Sequence, residues 1–193
     1  MTTYLQPTST SGFPQSLTLT QFIQTVMVGI SALPGPLVRP KWQIEPPKQP
    51  DLSVNWMAIG VSVAVPDANS YVGSDEDGAV ISQRHETLEI SCSIYGPDAM
   101  ETYGLIRDGF QIQPNLYALR SANMGFVEVS PARHIPDLVN GRFINRVEAS
   151  VFLRRMIQRV YPIATLLSAS GVIHTVVGGE EYLLDWETQT EET

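Results

Sequence analysis

Residues 141–157 read Gly141-Arg142-Phe143-Ile144-Asn145-Arg146-Val147-Glu148-Ala149-Ser150-Val151-Phe152-Leu153-Arg154-Arg155-Met156-Ile157. From Phe143 the odd positions Phe143, Asn145, Val147, Ala149, Val151 and Leu153 are apolar apart from Asn145. The even positions Arg146, Glu148, Ser150 and Arg154 are polar, with Ile144 and Phe152 among them. Period two describes this better than period 3.6, because a helix would put Val147, Val151 and Arg154 on one stripe. The stretch predicts one long strand with a buried face and a wet face. Two hydrophobes set among charges on the wet face suit an assembly surface, although singly exposed hydrophobes are common on any soluble protein.

Other strands follow from the same pattern. In Asn55 to Val65, Met57, Ile59, Val61, Val63 and Val65 face one way, with the small Ala58, Gly60, Ser62 and Ala64 opposite. In Gln83 to Tyr95, Leu88, Ile90, Cys92 and Ile94 alternate with Thr87, Glu89, Ser91 and Ser93, and antiparallel pairing with 55–65 is expected. Leu37 to Pro50 is proline-rich and allows at most an edge strand near Val38 to Ile44, anchored by Trp42, before an extended linker. A further strand is expected from Asn123 to Val129, and a last one from Val172 to Val177.

Helices are expected where the period changes. Thr18 and Gln21 have capping-box spacing, and Leu19, Phe22, Ile23, Val26, Met27 and Ile30 recur at threes and fours until Leu33-Pro34-Gly35-Pro36 ends the run. Gly96-Pro97-Asp98 opens a second helix that packs through Met100, Tyr103, Leu105, Ile106 and Phe110. Pro114 breaks it, and a short third helix runs on to about Ala122. The fold class is therefore α+β, a mostly antiparallel sheet packed by two or three helices. Residues 1–14 are expected to be a flexible arm, 15–184 a single domain and 185–193 an acidic tail, with no signal peptide or membrane span.

The chain has 193 residues, a net charge of −8 and an isoelectric point near 4.8. Such a balance disfavours a generic nucleic-acid surface. Five arginines, Arg142, Arg146, Arg154, Arg155 and Arg159, lie on the quoted stretch or just past it, and planar arginine forks suit fixed ion pairs between surfaces. Cys92 is the only cysteine, which excludes an internal disulfide and a cysteine metal site. His85, His134 and His174 form no metal-binding spacing, and the acidic loop Asp75, Glu76, Asp77 fails the calcium-loop template. No nucleophile elbow, phosphate loop or dinucleotide fingerprint occurs, so neither catalysis nor a cofactor is expected.

This layout, and above all the block from Arg133-His134-Ile135-Pro136-Asp137 through Gly141-Arg142-Phe143-Ile144-Asn145-Arg146 to Val151, resembles the tail-terminator or neck-terminator proteins of tailed bacteriophages. An Asn before an aromatic, then Ile-x-Arg and an alternating strand, is its most specific segment. The resemblance implies a noncatalytic virion protein, assembled in the host cytoplasm, that forms a homo-oligomeric ring, usually a hexamer. Such a ring caps the tail tube, with sheath protein as a further neighbour, and meets the connector or collar on the head side. DNA would pass through its channel without sequence-specific binding. On this reading Arg142, Ile144, Arg146, Glu148, Phe152 and Arg154 form the subunit or partner interface, and Asp75, Glu76 and Asp77 face the channel. A connector nearer the portal, or a small acidic module acting on a host protein, are the competing readings.

Overall fold

The computed structural model describes residues 4–12, 17–74, 79–139, 141–162, 168–177 and 180–189. In chain order its elements are β1 (Ser9–Ser11), α1 (Leu17–Ser31), β2 (Val38–Pro40), β3 (Trp56–Pro66), β4 (Tyr71–Ser74), β5 (Val80–Tyr95), α2 (Ala99–Gly109) and α3 (Tyr117–Ser121). They continue with β6 (Met124–Val129), β7 (Arg133–His134), β8 (Asp137–Val139), β9 (Arg142–Ile144), β10 (Arg146–Tyr161), β11 (Ser168–Val177) and β12 (Glu180–Gln189). The class is α+β, with a large, mostly antiparallel sheet.

β5 and β10 pair antiparallel from Arg146 opposite Tyr95 to Tyr161 opposite Val80. Opposed residues share a face, so Val147, Ala149, Val151 and Leu153 stand beside Ile94, Cys92, Ile90 and Leu88 in the core. β3 adds Met57, Ile59 and Val61 to that face. α1 covers it with Leu19, Ile23, Val26 and Met27, and α2 with Ala99, Tyr103 and Ile106. Burying each large aliphatic chain contributes about 1.5–3 kcal/mol before entropy is counted. Met100 and Leu105, expected on the packing side of α2, lie outward at 52% and 42% exposure. The helix is turned so that Thr102 and Tyr103 go inward, and the Tyr103 hydroxyl donates to the Ser130 carbonyl at 3.0 Å.

The other edge of β10 is covered in relay. β7 pairs with Val147 and Glu148, β6 with Val151 to Arg155, and β1 with Gln158 to Val160. The expected free arm is thus tied at Ser9–Ser11, where backbone pairing replaces the missing apolar content. The quoted stretch is two strands, not one. Asn145 separates them: its Nδ2 donates to the Pro97 carbonyl at 3.3 Å, its Oδ1 meets His134 Nε2, and its carbonyl accepts the Gly96 N–H. The alternation is broken there, leaving Phe143 78% exposed and Ile144 4% exposed. Gly96 has φ +114, and an added Cβ would collide with the Asn55 backbone.

Three further expectations change. β2 is three residues long and runs parallel to β3, and Trp42 is 72% exposed, lying across Gly60 instead of anchoring the core. The register shifts between Val63 and Val65, so Val65 no longer shares the core face and is 62% exposed. The sequence from Asp185, expected as a tail, continues β12 to Gln189, paired throughout with β11. Asp75, Glu76 and Asp77 lie outside the described residues. No described helix is long and apolar enough to cross a membrane.

Past Leu153 the core face carries Arg155, 2% exposed, opposite Glu86 on β5. Arg155 Nε and Nη2 both donate to Glu86 Oε2, at 3.0 and 2.6 Å. Arg155→Met alone should cost about 3–5 kcal/mol in urea unfolding, because it strands a largely buried carboxylate. Adding Glu86→Leu should restore most of the loss.

Candidate assembly surface

The face of the sheet that carries neither α1 nor α2 is built from the even residues of β10 and their partners. Arg146, Glu148, Ser150, Phe152 and Arg154 oppose Tyr95, Ser93, Ser91, Glu89 and Thr87, and β3 continues the rows with Trp56, Ala58, Gly60 and Ser62. Four of the six expected interface residues, Arg146, Glu148, Phe152 and Arg154, are therefore brought together. Arg142 stands apart and exposed on the β8–β9 hairpin, and Ile144 is buried, because the break at Asn145 inverts that turn of the pattern.

Arg146 and Arg154 of this face are already paired within the chain. Arg146 donates through Nη1 to Asp137 at 3.0 Å and through Nη2 to Glu148 at 2.5 Å, while its buried Nε has no hydrogen-bond partner among the described residues. Burial opposes its charge, but the Glu148 and Asp137 carboxylates outweigh burial and hold its pKa above the ordinary arginine value. Tyr95, stacked on Trp56 at 4.3 Å between centroids, has its phenol pushed up first by burial, against the lowering effect of Arg146. Arg154 donates to both oxygens of Asp67, at 2.7 and 3.0 Å. Sequence spacing gave no signal for Asp67, which is 87 residues from Arg154. Asp137 lies within the block that carries the resemblance, but nothing in its spacing marks it as a partner of Arg146.

Small side chains leave a cavity of about 450 Å³ over the middle of the face, lined among others by Lys41, Glu89, Ser91, Arg133, Glu148 and Phe152. Both acids facing it accept serine hydroxyls: Ser150 donates to Glu89 at 2.7 Å and Ser93 to Glu148 at 3.4 Å. Both signs of charge are present, which suits a polar protein surface better than a site for one small ion.

His85 and Glu86 follow each other on β5 and point to opposite faces, His85 towards Asp67 and Glu86 inward to Arg155, so they form no acid-base pair. Cys92 is buried, and burial pushes its thiol up to about 12, which leaves negligible thiolate near neutral pH. Among the described residues no three His, Cys, Asp or Glu side chains are grouped to hold a metal.

Arg146 and Arg154 should respond differently to truncation. Arg146→Ala breaks two partly buried charge-assisted bonds and should cost about 1.5–3 kcal/mol in thermal or urea unfolding. Arg154→Ala removes an exposed pair and should cost less than about 1 kcal/mol; equal losses would show that exposure does not govern this face.

No curated protein matches the chain. Residues 17–178, from the first residue of α1 through β11, match the phage neck terminator proteins. The match takes in the whole β5–β10 ladder, both helices that cover it and the helix-free face just described. Spanning most of the chain, it places the protein in the phage neck terminator family.

Proposed function

We propose that copies of this chain assemble into a ring, a hexamer, at the head-proximal end of a phage tail. The ring terminates the tail tube, joins it to the connector or collar and leaves a channel through which DNA passes. The family match carries this reading. The role is structural and located in the virion, following assembly in the host cytoplasm.

Physical features support it. A chain of net charge −8 repels the DNA phosphates and lets a duplex slide past without sequence reading. The helix-free face, with Arg146, Glu148, Phe152 and Arg154, is assigned to subunit or neck-partner contact; Arg142 and Ile144, on the separate β8–β9 hairpin, are not part of it. Because Arg146 and Arg154 are held by Asp137, Glu148 and Asp67, these two meet a neighbour as fixed ion pairs instead of free cations. The acidic loop 75–77 is assigned to the channel wall.

Native mass spectrometry and negative-stain imaging of the purified protein should show a closed ring with a central hole, and the ring should not retain duplex DNA at low salt. A compact monomer at high concentration would overturn the reading.

A further inference from the structure

Two parts of the molecule, one apart from the main sheet and one at the β3 margin of the surface described above, have complementary chemistry. The first is the β11–β12 hairpin. It pairs with no strand of the main sheet, and among the described residues its only substantial neighbours are its own two strands. Ten-residue strands reach about 33 Å, and a lone two-stranded ribbon is marginally stable in water without a covering surface. Two of its hydrophobes are exposed: Val172 at 50% and Ile173 at 52%. The register sets Asp185 opposite Val172 and Glu187 opposite Ser170, so one face of the ribbon carries an exposed hydrophobe beside two exposed carboxylates. Residues 168–189 include Glu180, Glu181, Asp185 and Glu187 and no Lys or Arg.

The second is the proline-rich segment 37–50. It holds both lysines of the chain, Lys41 and Lys48, together with Arg39, against the single acid Glu45. Arg39 donates to the Pro36 and Lys48 carbonyls at 2.8 Å, and Lys41 Nζ donates to Ser91 Oγ at 3.1 Å, so the hydrogen bonds of these two cations go to neutral oxygens. Trp42 is 72% exposed and Ile44 fully exposed beside them. A cavity of about 540 Å³ opens next to the segment, lined among others by Arg39, Lys41, Gln43, Trp56 and Tyr95. Cations beside uncovered hydrophobes fit an acidic, partly apolar partner.

We infer that the β11–β12 hairpin of one copy docks on the 37–50 segment of a second copy, setting Asp185 and Glu187 against Lys41 and Lys48 and covering Trp42 and Ile44. The occupant is a second copy because each chain carries both halves of the match. A contact between two different patches is head-to-tail and closes into a ring when the rotation allows. The inference rests on the ring reading and names the joint between its subunits.

The test uses the full chain in four forms, followed by sedimentation and native mass: wild type, Asp185→Lys with Glu187→Lys, Lys41→Glu with Lys48→Glu, and all four substitutions together. Each pair alone should raise the concentration at which the oligomer dissociates by about tenfold or more, since like charges then face each other. The fourfold variant, with the charges exchanged, should reassemble, as should a mixture of the two paired variants. An oligomeric wild type whose paired variants remain assembled, or whose fourfold variant fails to recover, would overturn the hairpin contact and leave the ring reading standing. A monomeric wild type would overturn both.

Discussion

The antiparallel ladder between β5 and β10 is the constraint on which the rest of the molecule depends. Both strands are sixteen residues long and opposed throughout, so a single register assigns every side chain of both to one face or the other. A slip of one residue would carry Glu89, Ser91 and Ser93 into the core and turn Leu88, Ile90 and Ile94 to water, which makes the register stringent. α1 and α2 then have one place to bury their apolar stripes, and the opposite face is left for polar work.

Strands this long expose long edges, and the fold manages them with short pieces. β3 and β4 divide the outer edge of β5, while β7, β6 and β1 cover the outer edge of β10 in turn. Short segments placed in relay protect an edge without adding another long strand that would itself need covering. Arg155 lies where this relay passes from β6 towards β1. Its ion pair with Glu86 interrupts the buried face between Leu153 and Ile157, and leaving either partner alone there would be costly.

The charges of the helix-free face show why a count of arginines misjudges a surface. Arg146 and Arg154 are answered by carboxylates of their own chain, so they confer rigidity and shape more than net attraction. Arg39 and Lys41, by contrast, spend their hydrogen bonds on neutral oxygens, in a segment that also exposes Trp42 and Ile44. Cations whose hydrogen bonds go to neutral oxygens are therefore found on the proline-rich segment beside β3, and not on the strand where arginine is most concentrated.

The sequence by itself determined the strands, helices and buried faces wherever a local period holds: Val147 to Leu153, Leu88 to Ile94, Met57 to Val61, and the stripe of α1. Side-chain alternation and helical repeat are properties of a few neighbouring residues, so they are written in order along the chain. It also carried the resemblance to the terminator family, through the block around Phe143 to Val151. Only the tertiary structure decided the inversion at Asn145, the shift at Ala64, the outward turn of Met100 and Leu105, the tethering of Ser9 to Ser11, and the pairing of Arg154 with Asp67, of Arg155 with Glu86 and of Asp185 with Val172. Each of these is fixed by a partner distant in sequence or by a backbone irregularity set by its neighbours, and such partners leave no periodic mark on the chain.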